Sequence, residues 1–190
     1  MPKEKTLCPW ALSDPLSRLY HNEEWGLPCH DDHRLFEFLI LEGMQAGLSW
    51  RTILQKREAM RKAFANFEPK KIIRFNAAKV EKLLQNEKII RNRLKVNSVI
   101  QNAKGFLAIQ KEFGNFHTYL WAFVDNKPMV NHWEKSEDVP AKTELSDKLS
   151  KDLKKRGFNF VGSTICYAYM QAIGLVNDHL TSCFRHKLCK

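Results

Sequence analysis

Residues 80–96 read Val-Glu-Lys-Leu-Leu-Gln-Asn-Glu-Lys-Ile-Ile-Arg-Asn-Arg-Leu-Lys-Val. Apolar residues at helical spacing run to Leu84, a polar break covers Gln85-Asn86-Glu87-Lys88, and a second periodic run extends from about Arg91 to Phe113, where Gly114 stops it. The reading is helix, tight hairpin, helix. Free N–H groups and the positive end of the second helix's dipole would meet a phosphate there, strengthened by Lys88, Arg91, Arg93 and Lys95. An ordinary solvated turn is the alternative. Lys154-Lys155-Arg156-Gly157 offers a second phosphate contact, although cations also stabilise a helix C-terminus without any ligand.

Helical signals continue outward in both directions. Ser13-Asp14-Pro15 caps a short helix bearing Leu16, Leu19 and Tyr20 that stops near Trp25-Gly26. Asp31-Asp32 opens the next, which runs through Leu35, Phe36, Leu39 and Ile40 to Glu42 and ends at Gly43 or Gly47. Ser49 caps a third, with Ile53, Leu54, Met60 and Phe64 inward and Arg51, Lys56, Arg57, Arg61 and Lys62 interspersed as on a surface helix. Pro69 marks a short helix through Ile72 and Ile73. C-terminal to the hairpin, a shorter apolar helix over Leu120–Val124 breaks at Asn126-Lys127-Pro128, and Glu134 to Thr143 reads as a linker or surface loop. Helices over Leu145–Arg156 and Ser163–Ile173 follow, stopped by Gly157 and Gly174, and the polar tail Arg185–Lys190 should fray. No alternating strand pattern and no internal repeat is visible, so an all-α chain is expected over 1–190 as one domain.

Thirty-one Lys+Arg against 21 Asp+Glu give a formal charge of +10, which favours a polyanionic partner, nucleic acid first. No run reaches the ~18 apolar residues of a membrane span, and the N-terminus lacks a signal-peptide core. A soluble cytoplasmic protein is expected. Five cysteines, an odd number, argue against a disulfide framework and leave metal ligation or burial to explain them.

Cys8, His21, His179 and Cys183 carry the chemistry of a closed tetrahedral zinc site. Cys29, His30 and His33 form a rival cluster with tighter spacing, Cys189 with His186 another, and spacing does not choose among them. Glu42 ends the apolar run Phe36–Leu41 just before a small-residue turn and Trp50. A carboxylate there is either a solvated helix end or a buried acceptor or base with a raised pKa. Trp10, Tyr20, Trp25 and Trp50 crowd the same third of the chain. Aromatics usually pack a core, but flat rings beside a carboxylate are also what a nucleobase pocket requires.

With these residues placed, the chain resembles the 3-methyladenine DNA glycosylase I family from about Cys8 to Cys183. The resemblance is carried by Asp14-Pro15-Leu16, by Tyr20-His21-Asn22-Glu23-Glu24-Trp25-Gly26, and by Leu41-Glu42-Gly43-Met44-Gln45-Ala46-Gly47-Leu48-Ser49-Trp50. Ile89-Ile90-Arg91-Asn92-Arg93, Gly157-Phe158-Asn159-Phe160-Val161-Gly162 and Gly174-Leu175-Val176-Asn177-Asp178-His179 complete it. It implies a helix-hairpin-helix fold of two helical lobes, with one structural Zn2+ joining the chain ends through Cys8, His21, His179 and Cys183. It implies a monofunctional enzyme that hydrolyses the N-glycosidic bond of 3-methyladenine in double-stranded DNA. Glu42 would bind the extruded base among Tyr20, Trp25, Trp50 and Trp10. The 86–91 hairpin would grip the backbone, and the Gly47-Leu48 turn would fill the gap in the duplex. A bacterial-type monomer, associated with the nucleoid through DNA, is expected.

Four positions depart from the family pattern. Ser17 stands where an aromatic is common, Met44 for Gln, Lys88 for a hairpin Gly and Ala168 for Ser, so hairpin geometry and pocket lining are in question. The resemblance supplies no match for the Asp that many helix-hairpin-helix glycosylases place after the hairpin, and no nucleophilic Lys is evident. The rival reading is a non-enzymatic zinc-stabilised DNA-binding module whose aromatics only fill the core. The carboxylate beside the aromatics discriminates, because a pure binder has no need of it.

Overall fold

The computed structural model describes residues 6–189. Its centre is the helix labelled α2, Asp32–Gln45, in which every residue from Leu35 to Met44 is buried. A helix apolar on all sides can only sit inside a bundle, and α2 packs against α3 (Trp50–Ala63), α6 (Arg93–Phe113), α7 (Phe116–Trp121) and α9 (Ser163–Ala172). Around this hub lie α1 (Pro15–Glu23), α4 (Pro69–Ile72), α5 (Ala77–Leu84) and α8 (Glu144–Lys155). One continuous apolar cluster runs from Tyr20 to Val176.

Both ends of α2 are tied by charge. Asp31 caps its N-terminus by accepting from Arg34 N at 2.8 Å. Asp32 accepts from Phe116 N, His117 N and Gln110 Nε2 at 2.7–2.8 Å and so also holds the first turn of α7. At the other end Lys95 donates to Met44 O (2.8 Å) and Ala46 O (2.6 Å), setting an ammonium against carbonyls at the negative pole of the helix. Lys95 is therefore committed to the fold, not to a phosphate.

The hairpin between α5 and α6 forms as the sequence predicts. Helix α6 begins at Arg93, two residues later than expected, because Asn92 takes the cap position and accepts from Lys95 N. Lys88 is not among the residues with positive φ, so it costs the turn no left-handed strain. Helix α7 begins at Phe116, earlier than expected, since Asn115 caps it, and a 3-10 turn over Ala122–Val124 follows.

Three expectations need correction and one is narrowed. Two short strands do exist, β1 (Met129–Val130) and β2 (Val176–Asn177), paired in parallel; two residues are too few for any alternation to show. Of the two readings of 134–143, surface loop is the one that holds: the stretch is mostly exposed, and Ser136, Val139, Pro140 and Ala141 wall a cavity. The tail does not fray through Cys189, since Cys189 is fully buried and Asn177 Nδ2 donates to the carbonyls of His186 and Cys189; Lys190 lies outside the described residues. Arg57 is buried rather than solvated, bonded to Glu37 at 2.7 Å and Glu24 at 2.8 Å.

Candidate active site and metal centre

A cavity of about 490 Å³ opens between α2, α9, the aromatic turn before α1 and the 134–143 loop. Trp10, Tyr20, Trp25 and Trp50 all line it. The Tyr20 and Trp50 rings lie 5.2 Å apart, and Trp10 meets Trp25 edge-on at 5.0 Å. Glu42 enters from the last turn of α2, 4% exposed. Burial alone pushes its carboxyl up to about 8.

Glu42 has no hydrogen-bond partner among the described residues. The Tyr20 hydroxyl and the Trp50 indole Nε1 are buried and equally unpartnered. Burial, reinforced by the Glu42 charge, keeps the Tyr20 hydroxyl protonated well above its ordinary range, so it stays a donor. Leaving such groups unpaired costs about 1–3 kcal/mol each. These three polar groups belong to residues that line one aromatic-walled cavity, an arrangement suited to a polar, planar ligand.

Cys8, His21, His179 and Cys183 come together against the other side of Trp25, with their donor atoms all within 4.8 Å of one another. Cys183 Sγ lies 3.4 Å from His21 Nε2 and 3.7 Å from His179 Nδ1, which is also 3.7 Å from Cys8 Sγ. Usual zinc bond lengths put a tetrahedral S–N edge at about 3.6 Å. The outward nitrogens are engaged, His179 Nε2 with Trp25 O (3.1 Å) and His21 Nδ1 with Asn22 Oδ1 (2.8 Å), as metal-binding imidazoles require. The Cys8 thiol, followed by His179 and His21, holds Cys183 well below its ordinary pKa, and the hydrogen bond to Cys183 together with burial pushes Cys8 up. A metal ion fits these four residues. Gly26, at φ +78°, makes the arrangement possible, since a Cβ there would sit 2.8 Å from His179 Nε2.

The rival clusters are committed elsewhere. His30 stacks on Trp121 at 4.4 Å, His33 Nε2 bonds Asn66 O, and His186 Nε2 bonds Asn131 O. Lys88, Arg91 and Arg93 are exposed on the hairpin, but Arg93 forms an ion pair with Glu81 and Arg91 approaches Glu87 at 3.4 Å. Gly47, at φ +74°, and Leu48, 41% exposed, form a tip beside the cavity residue Gln45. Arg156 is held by Asp152 and Glu112 and lies over Phe113 and Tyr119, so a structural role accounts for it.

Of the departures, Ser17 reinforces the α1 cap through Asp14 at 2.7 Å, Met44 is core, and Ala168 lines the cavity. Sequence reasoning missed Asp178, buried in the cavity wall. It accepts from Asn131, Trp133 and Gln171 at 2.7 Å and from Tyr167 at 2.6 Å. The spacing of Thr164, Ala168 and Gln171 along α9 was the available signal.

A family model described as methyladenine glycosylase matches residues 10–186. DNA-3-methyladenine glycosylase from Haemophilus influenzae is 49% identical over 178 residues, covering 94% of this chain and 96% of that protein. DNA-3-methyladenine glycosylase 1 from Escherichia coli is 47% identical over 176 residues, covering 93% and 94%. A structure of 3-methyladenine DNA glycosylase I from Staphylococcus aureus, which concerns 3-methyladenine recognition, superposes with a TM-score of 0.91 at 37% identity, covering 93% of this chain and 94% of that one. A mostly helical bundle of matching shape, matched over nearly its whole length in sequence, is decisive: the chain belongs to the methyladenine glycosylase family.

Proposed function

We propose that this protein hydrolyses the N-glycosidic bond of 3-methyladenine in double-stranded DNA, as a monofunctional base-excision glycosylase. The observation that carries the reading is Glu42, a buried carboxyl group with no partner among the described residues, in a cavity with aromatic walls that include Tyr20 and Trp50, whose polar atoms find no described partner either. Methylation at N3 makes the adenine cationic and weakens its bond to the sugar. The site therefore has little acid catalysis to supply. Stacking, cation–π attraction and a charge-assisted hydrogen bond to Glu42 favour the cationic base as it leaves, and neutral adenine gains less. Extrusion from the stack costs a few kcal/mol, least at a damaged base, which adds selectivity.

Glu42 binds the base and orients water. Among the described residues no lysine lines the cavity, which supports simple hydrolysis with an abasic site on an intact strand as the product. Lys88, Arg91 and Arg93 contact phosphates on one side of the pocket while Gly47 and Leu48 occupy the space that the base vacates. One Zn2+ held by Cys8, His21, His179 and Cys183 fixes the turn that presents Trp10 and Trp25; a closed four-ligand site has no open position and takes no part in the chemistry. The protein acts as a monomer of one domain with two helical lobes. Among the described residues no helix is long and apolar enough to cross a membrane, and we assign the activity to the cytoplasm. Incubation with methylated duplex DNA and chromatography of the released bases tests the reading. Release of 3-methyladenine is expected; no release would leave a DNA-binding module.

A further inference from the structure

Asp178 gives the cavity wall a fixed hydrogen-bonding sense. Its two oxygens receive four donors, from Asn131, Trp133, Tyr167 and Gln171. A carboxylate offers about four acceptor sites and no donor. All four are used, so Asp178 has nothing left for a ligand, and its role is to orient the side chains around it. The consequence is sharpest at Gln171, which lines the cavity on the α9 face that also presents Thr164 and Ala168. Either end of a glutamine amide can face a partner, and only the network decides which. Because Asp178 only accepts, Gln171 must turn its Nε2 to it, at 2.7 Å, leaving Oε1 as the atom with no partner among the described residues. Tyr167 likewise spends its proton on Asp178, at 2.6 Å, and presents only oxygen lone pairs elsewhere. Helix α9 packs against α2, which carries Glu42. The polar side chains reaching the cavity from these two helices thus include Glu42 and Gln171, and of the two it is Gln171 whose hydrogen-bonding sense is fixed.

We propose that Gln171 Oε1, held in that sense by Asp178, is a specificity-determining acceptor that reads the exocyclic amine of an adenine-type base and rejects the exocyclic carbonyl of a guanine-type base. The inference rests on the glycosylase reading above. Adenine offers an N–H2 group at the position where guanine offers an oxygen. An oxygen facing Gln171 Oε1 would set acceptor against acceptor and leave both unpaired, and sites built around a hydrogen bond discriminate strongly on that ground. Asp178 is the positioning residue, acting through Gln171.

The test is excision of 3-methyladenine and of 3-methylguanine from one preparation of methylated duplex DNA, with kcat/KM measured for each base. Gln171→Met keeps the length of the side chain and removes the acceptor. It should lower kcat/KM for 3-methyladenine by about three- to tenfold and leave 3-methylguanine unchanged or faster, so the ratio between them falls. Asp178→Asn can donate to Gln171 Oε1 and turn the amide round, and the ratio should fall at least as far. Melting temperature and metal content are measured for both variants, and where Asp178→Asn loses metal the Gln171→Met result decides. A folded Gln171→Met protein with an unchanged ratio overturns the proposal, as does a wild type that excises both bases equally. A wild type that releases no methylated base overturns the glycosylase reading itself.

Discussion

The two sides of Trp25 are built on opposite rules. Toward the chain ends, the potential metal ligands face one another and their outward nitrogens are bonded. Toward the cavity, the Glu42 carboxylate, the Tyr20 hydroxyl and the Trp50 Nε1 find no partner among the described residues. Saturated polar groups build a scaffold, whereas buried polar groups left open store a cost that a ligand can relieve. The closed cluster holds the shape of the open one, because the Trp25 carbonyl is bound by His179 and the Trp25 ring lines the cavity.

The largest effect should come from opening the closed side. Cys183→Ser removes one of the four ligands, and metal analysis should show the bound ion lost. Structural metal contributes its binding energy to folding, so melting should fall by about 10 °C or more for a domain of this size. Substituting Cys29 or His33 should leave metal content unchanged; metal loss there would reassign the ligands.

The next effect comes from the open side and has opposite signs for activity and stability. Glu42→Gln keeps the shape and removes the charge, so excision should fall about ten- to a hundredfold, the equivalent of roughly 1.5–3 kcal/mol. The unfolded chain ionises this carboxyl near its ordinary value and the folded chain only near 8. Between these values the folded state holds the extra proton, so wild-type stability declines as pH rises through that window. Glu42→Gln removes the decline and should melt higher than wild type at pH 9, with the gap closing toward pH 5. The excision rate of wild type should rise toward pH 8 as Glu42 ionises, and that of Glu42→Gln should stay flat. A variant with wild-type activity would make Glu42 an idle helix end.

Trp50→Ala should cost excision a comparable or smaller factor, because one face of the aromatic enclosure is lost. Its ring also packs against the core, so activity is read beside melting temperature. A fall in melting with no fall in activity per folded molecule would place Trp50 with the scaffold.

Sequence reading reached the helices because capping residues sit where a helix needs them: Asp14, Asp31 and Ser49 all accept from a backbone N–H in the first turn. It placed Glu42 beside the tryptophans from proximity in the chain alone. The metal ligands were different, since Cys8 and His179 are 171 residues apart and no local spacing announces such a contact; the family resemblance chose them. Asp178, Arg57 and Lys95 were illegible for a related reason. A charged residue reads as solvent-facing until its partners are known, and each of the three has partners far away in the chain. The two-residue strands and the loop wall at 136–141 carry no periodicity that could reveal them.

The smallest effect should separate the hairpin's cations from one another. Each phosphate contact made by a cation releases counterions, so removing one contact lowers the salt slope of DNA binding by about one. Lys88, Arg91 and Arg93 are all exposed, yet they are not equally free. Arg93 is held by both oxygens of Glu81, and Arg91 has Glu87 at 3.4 Å, whereas no ion pair of Lys88 is found among the described residues. A phosphate must compete with Glu81 for Arg93 but with water alone for Lys88. Lys88→Ala should therefore lower the slope by about one, and Arg93→Ala by less, with Glu81→Gln raising wild-type affinity by freeing Arg93. Free 3-methyladenine should bind all three variants equally, since none lines the cavity. Equal slopes for Lys88→Ala, Arg93→Ala and wild type would move the phosphate-binding face away from the hairpin, leaving the exposed Gly47-Leu48 tip and the first turn of α3, with Arg51, as the next place to look.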